Sequence, residues 1–138
     1  MNYLKRFSAL ACMGLMLSTP VQAESVKCLA TAIYFEARGE PVKCQMKVAD
    51  VIINRVDHKK FANSVCGVVY QKGQFSWVGK NYRITDKDRY NKAVKIATQK
   101  LNNRHIDTTN GATFFSTGYH FKGTRKVDEC ANHKFFKV

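Results

Sequence analysis

Two carboxylates and a guanidinium sit between aromatic rings and a helix break in Tyr34-Phe35-Glu36-Ala37-Arg38-Gly39-Glu40-Pro41. A carboxyl group beside aromatic neighbours can have its pKa raised by desolvation, and so hold a proton for delivery to a leaving group. Glu36 is therefore the candidate reacting group. Glu36 and Glu40 are four apart, which would stack them on one continuous helix, but Gly39 and Pro41 interrupt that geometry. Farther along, Gln74-Phe75-Ser76-Trp77 mixes hydrogen-bonding and aromatic side chains, the combination that orients an amphipathic ligand on a ring face. Phe75 and Trp77 serve equally well as core. His120 and His133 could move protons, although a lone histidine in a small domain is more often structural. Neither the cysteines nor His58, His105, His120 and His133 form a Cys-x-x-Cys or His-x-x-x-His pair, so neither a metal nor a cofactor is expected.

The elements that must position these groups can be read from apolar spacing. Val26, Leu29, Ala30, Ile33 and Ala37 fall at offsets 0, 3, 4, 7 and 11, a buried helical face behind the N-cap candidate Ser25. Gly39 suits the close of that helix and Pro41 the first turn of the next. A carboxylate on the last turn, beside a sharp bend, is well placed to face a cleft. The second helix is expected from Pro41 to about Val56, burying Val42, Met46, Ala49, Ile53 and Val56, with Glu40 as a candidate cap. Asn54 and Arg55 at its end face the cleft or bond to backbone carbonyls. Asn63 or Ser64 starts a short helix through Cys66 to Tyr70, and Gln71-Lys72-Gly73 turns the chain into the Gln-Phe-Ser-Trp run. Thr85 to Asn102 reads as a third long helix, with Thr85-x-x-Asp88 resembling a capping box and Tyr90, Ala93, Val94, Ala97 and Leu101 as its apolar face. Asn102-Asn103, Asp107 and Asn110-Gly111 mark a loop before a short strand at Ala112 to Phe115. A basic segment, Lys122 to Lys126, leads to a last extended piece ending at Phe136. The sum is an α+β chain, mainly helical, with a small β element.

Lys5 and Arg6 precede an apolar run from Phe7 to Leu17, followed by Ser-Thr-Pro and Val21-Gln22-Ala23. This fits a signal peptide over residues 1–23, cleaved after Ala23; a retained anchor or lipidation at Cys12 are the alternatives. Removing 23 of 138 residues leaves 115, one domain at 24–138 with a modest core. The net charge of +13 becomes +11 when Lys5 and Arg6 depart. Such an excess implies a polyanionic partner, and export favours the anionic cell wall over nucleic acid. Cys28, Cys44, Cys66 and Cys130 remain, an even set suited to two disulfides in an oxidising compartment, with three pairings open. The product is expected in the periplasm or outside the cell, without a stable membrane anchor and as a monomer.

The block from Tyr34 to Pro41, followed by Gln45, Val48-Ala49 and Val51 to Val56, resembles the SleB-type cell-wall hydrolase family, the catalytic domain of spore cortex-lytic enzymes. Phe61 to Tyr70, Gln74-Phe75-Ser76-Trp77, Ala112 to Phe115 and Asn132 to Phe136 are similar to that family's later blocks. The resemblance implies a lysozyme-like single domain acting on peptidoglycan glycan strands, in cell-wall remodelling or host lysis. It implies Glu36 as catalytic acid, with Tyr34, Glu40, Gln74, Phe75, Ser76, Trp77, Phe115 and Tyr119 in the substrate cleft. Glycoside cleavage ordinarily uses two carboxylates, and the spacing of Glu40, Asp50, Asp86 and Asp88 makes none an evident partner. The family's lytic transglycosylase reaction needs only one: Glu36 protonates the leaving oxygen, then takes the proton of the C6 hydroxyl of N-acetylmuramic acid, which closes on C1. A water-using muramidase and a non-catalytic wall-binding protein are the rivals. The chain departs from the family pattern at Val78-Gly79-Lys80, where Asp-Gly is common, and at Ala131 and Phe136, where Gly and Tyr are.

Overall fold

Thr19-Pro20 starts the first helix earlier than Ser25 would. The computed structural model describes residues 19–138, and in it α1 runs Pro20–Ala37. The Thr19 hydroxyl accepts from the Gln22 N–H at 3.3 Å and Pro20 occupies the first turn, a complete start signal six residues upstream. Ser25 is thus an interior residue rather than the cap, and Ala23 lies within the helix. Full burial begins only at Cys28, with Val26 partly buried against the helical core just before it. The apolar run 7–17 and Cys12 lie outside the described residues. No helix among the described residues is long and apolar enough to cross a membrane.

The remaining elements are α2 (Val42–Val56), α3 (Val65–Val69), α4 (Lys87–Asn102), β1 (Phe114–Ser116), β2 (Arg125–Cys130) and β3 (His133–Lys137). Pro41 caps α2 rather than opening it, without a side-chain hydrogen bond. Glu40 is not its cap: the Glu40 carbonyl accepts from Gln45 Nε2 at 2.9 Å while its carboxylate turns toward His133. The buried face of α2 is wider than the expected stripe. Val42 is exposed, whereas Cys44, Gln45, Val48, Asp50, Val51, Ile52 and Arg55 are buried, because helices pack one side and the sheet the other. Asp50 tolerates this position through an ion pair with Lys100 of α4 and hydrogen bonds from the Thr108 N–H (2.9 Å) and hydroxyl (2.7 Å). Lys100 also donates to the Ile106 carbonyl at 2.7 Å, so the pair pins the loop after α4.

The N-cap of α4 is Asp86, one residue later than the capping-box reading of Thr85. Its carboxylate accepts from the Arg89 N–H at 3.0 Å, while the Thr85 and Asp86 N–H groups both donate to the Tyr34 hydroxyl, at 3.3 and 3.2 Å. Leu29, Ile33, Ala49, Ile52, Val68 and Ala97 form the helical core. A second cluster, including Val48, Val51 and Phe135, joins α2 to the sheet.

The sheet is antiparallel with order β1-β3-β2, pairing Phe114 with Phe136 and Phe115 with Phe135. The expected last extended piece is in fact a hairpin, β2 and β3, whose turn holds Ala131 at φ 51°. That conformation favours glycine, a physical reason for the family pattern at this position. The disulfides are Cys28–Cys66, joining α1 to α3, and Cys44–Cys130, joining α2 to the end of β2.

Candidate active site

The last turn of α1 presents Glu36 to a cleft, and the turn after α3 presents Trp77 to Glu36. Trp77 Nε1 donates to Glu36 Oε1 at 3.0 Å. The indole is itself held by stacking with Phe35 and Phe75, at centroid distances of 4.9 and 5.9 Å. Burial raises the Glu36 pKa above the usual carboxylate value; the Trp77 hydrogen bond and the Arg55 charge act against it.

Arg55, near the end of α2, is the cation of this site. Its Nε donates to the Thr113 carbonyl at 2.7 Å, which satisfies one of the two alternatives open to it. Its guanidinium carbon lies 5.1 Å from the Phe61 ring centroid and 5.6 Å from those of Phe75 and Phe114. Burial pushes its pKa down to about 10, opposed by Glu36, so it stays charged at neutral pH. Only 4% exposed, it lines the cleft with an Nη1 that has no hydrogen-bond partner.

Two pockets meet at a wall made by Glu36 and Ser76. The larger, about 420 Å³, also takes in Arg55, Gln74, Phe75, Phe115, Tyr119 and His133. The other, about 310 Å³, takes in Tyr34, Phe35, Arg38, Trp77, Tyr82 and Arg83. Every sequence-derived cleft residue except Glu40 therefore borders one of them. Glu40 sits at a shallower groove that also touches Glu36, with its Oε1 3.9 Å from the buried His133 Nδ1. Burial lowers the His133 pKa and the Glu40 charge opposes this. His120 lies elsewhere, with Nε2 2.7 Å from the Thr124 carbonyl.

Glu36 is the only carboxylate, among the described residues, that lines either of the two pockets. Asp50 is buried against Lys100, and Asp86 and Asp88 belong to an open depression at the start of α4. No cluster of three potential metal ligands occurs among the described residues. Sequence reasoning named His133 as a candidate proton carrier without placing it on a pocket wall, and did not single out Phe114, Phe121 or Tyr82. The adjacent phenylalanines Phe114-Phe115 and Phe135-Phe136, which pair across β1 and β3, were the available signal for Phe114.

A carboxyl whose pKa is higher folded than unfolded destabilises the fold as pH rises through its folded value. Below the ordinary carboxylate range both states hold the proton and the penalty vanishes. Glu36→Gln is accordingly expected to raise Tm at neutral pH, with the gain fading to nothing toward about pH 3. A gain that grew on acidification would contradict the direction of the shift.

A carboxyl of raised proton affinity, held beside a fixed cation in an aromatic-walled cleft of a mainly helical domain, defines a class of site suited to acid chemistry on an amphipathic ligand. The sequence profile described as Cell Wall Hydrolase matches residues 39–136, and the chain belongs to that family. This is the family that the Glu-Ala-Arg-Gly-Glu-Pro block pointed to, although the matched span begins just after Glu36. The spore cortex-lytic enzyme of Bacillus subtilis is 45% identical over 53 residues, 38% of this chain and 17% of that protein. The spore cortex-lytic enzyme of Halalkalibacterium halodurans is 35% identical over 92 residues, 65% of this chain and 26% of that protein. The chain thus spans about a quarter or less of these relatives. Among solved structures, the catalytic domain of the Bacillus cereus SleB protein matches with a TM-score of 0.65 and 26% identity, covering 83% of this chain and 91% of that one. The catalytic domain of the germination-specific lytic transglycosylase SleB from Bacillus anthracis matches with a TM-score of 0.69 and 27% identity, covering 90% and 100%.

Proposed function

We propose that this domain cleaves the glycosidic bond between N-acetylmuramic acid and N-acetylglucosamine in peptidoglycan as a lytic transglycosylase, with Glu36 as acid and then base. The carrying observation is that one half-buried carboxyl of raised pKa stands on the wall between two pockets that no other carboxylate among the described residues lines. Protonated Glu36 donates to the glycosidic oxygen as the C1–O bond breaks. The carboxylate left behind takes the proton of the C6 hydroxyl, O6 bonds to C1, and a 1,6-anhydro sugar leaves with Glu36 protonated again. Between the two transfers the half-buried carboxylate is anionic, and Arg55 and the Trp77 N–H stabilise it in that state. Gln74, Ser76, Phe75, Phe115 and Tyr119 would contact the sugars. Tyr34 acts from behind, its hydroxyl fixing the loop into α4 beside the second pocket.

Similarity to a domain named as a lytic transglycosylase supports this reading over a water-using muramidase. Two disulfides fit an exported protein, which we place in the periplasm or outside the cell after cleavage at Ala23. The positive charge fits attraction to an anionic wall. The test is incubation of the protein with purified peptidoglycan. Release of soluble glycan fragments is expected; protein that bound sacculi and released nothing would be a wall-binding module instead.

A further inference from the structure

The Gln-Phe-Ser-Trp run reads from sequence as a sugar platform, but its two rings are largely covered. Phe75 and Trp77 are buried, and each stacks on the other. The open rings on this side of Glu36 are Tyr82, 59% exposed, and Tyr70, 49% exposed. Both border a third groove of about 260 Å³, whose walls include Thr31, Phe35, Trp77, Lys80 and Ile84. Phe35, Trp77 and Tyr82 belong to this groove and to the second pocket beside Glu36, so the two are continuous. The Tyr82 centroid lies 6.2 Å from that of Phe35, and Tyr70 meets Trp77 edge-on at 6.2 Å. The path from Glu36 therefore runs over Tyr82 to Tyr70.

We propose that this groove is a distal saccharide subsite, which holds the continuing glycan strand beyond the sugars at Glu36 by stacking on Tyr82 and Tyr70. The proposal rests on the reading of the Glu36 cleft as a glycan-cleaving site. A polymer bound across Glu36 must run on past the broken bond, and this groove, which shares Phe35, Trp77 and Tyr82 with the second pocket, offers such a continuation. Its chemistry suits a sugar: phenol rings offer an apolar face and a hydroxyl, and Thr31 and Lys80 add polar groups at the rim. Lys80, with Arg38 and Arg83 of the adjoining pocket, gives the path a positive border. That border complements the carboxylates of the peptide stems that muramic acid carries. Val78, Gly79 and Lys80 form part of the wall, and they are the segment that departs from the family pattern.

The experiment measures affinity rather than turnover, using the Glu36→Gln chain with a muramic acid-containing tetrasaccharide and with strands several times longer. Trp77, the one tryptophan of the chain, borders the groove and reports binding by fluorescence, with calorimetry as a second readout. The longer strands are expected to bind more tightly. Adding Tyr70→Ala or Tyr82→Ala should lower the ratio of long-strand to tetrasaccharide affinity about tenfold, the weight of one lost stacking contact, while Tyr→Phe at either position keeps it. The proposal is overturned if the alanine variants leave the ratio unchanged, or if long strands bind no better than the tetrasaccharide before they are made. Should the ratio behave as expected while the unsubstituted chain cleaves no glycan, the reaction assigned to Glu36 fails and the subsite stands.

Discussion

Glu36→Gln is expected to lower glycan release by about 10³-fold or more while sacculus binding persists. The size follows from the two roles given to one group. Glutamine keeps the shape of the side chain and an oxygen for the Trp77 N–H, so the local structure should survive. It cannot give a proton to the leaving oxygen or take one from the C6 hydroxyl. No other carboxylate among the described residues lines the two pockets and could substitute, since Asp50 is held by Lys100 and Glu40 faces His133. A variant that retained a tenth of the activity would mean that Glu36 only decorates the end of α1. Loss of sacculus binding along with turnover would mean that the substitution disturbed the cleft, and the stability comparison at neutral pH would reveal it.

The second large effect is on stability. Cys44–Cys130 closes a sequence separation of 86 residues and ties the start of α2 to the hairpin that carries His133 and Phe135. In the chain-entropy account a loop of that length contributes about 4–5 kcal/mol, close to the whole stability of many small domains. The paired change Cys44→Ser with Cys130→Ser should therefore lower Tm by roughly 15 °C, and reductant, which opens Cys28–Cys66 as well, should lower the Tm of the unsubstituted protein further. Cys28–Cys66 spans 38 residues, for which the same account gives about 4 kcal/mol. Thermal unfolding with and without reductant checks both. An unchanged Tm under reductant would show that noncovalent contacts, the packing of Val51, Ala112 and Phe135 and the Arg55 hydrogen bond to Thr113 among them, hold the sheet to α2 without the bridge.

The helices were legible because each buries a face with the 3.6-residue period, and α1 also ends at a Gly and Pro signal that places Glu36 on its last turn. What escaped was set by residues distant in sequence. Asp50 reads as a polar residue on the exposed side of α2; only Lys100, on another helix, makes its burial tolerable. Arg55 is legible as a helix-end cation directed at the cleft or a backbone carbonyl, but the three phenylalanines around it come from a loop, the Gln-Phe-Ser-Trp turn and β1. The disulfide pairing has no local signature at all. The start of α1 was misplaced for a different reason: Ser25 is a plausible cap, but Thr19-Pro20 is a stronger one and nothing between them breaks a helix. Trp77 shows the limit of residue-type reasoning at a site. Its identity suggested a platform for sugar, while its Nε1 hydrogen bond and covered ring make it a positioning residue for Glu36.

The most direct test of the central claim is the mass of the fragments released from purified peptidoglycan, with Glu36→Gln run beside the unsubstituted protein. The account requires anhydro-muramyl products about 18 Da lighter than hydrolysed ones, because closure by the C6 hydroxyl omits the water that hydrolysis adds, and their absence with the variant. Fragments ending in reducing muramic acid would contradict it, since they demand an activated water, and Glu36 is the only carboxylate among the described residues that lines the two pockets.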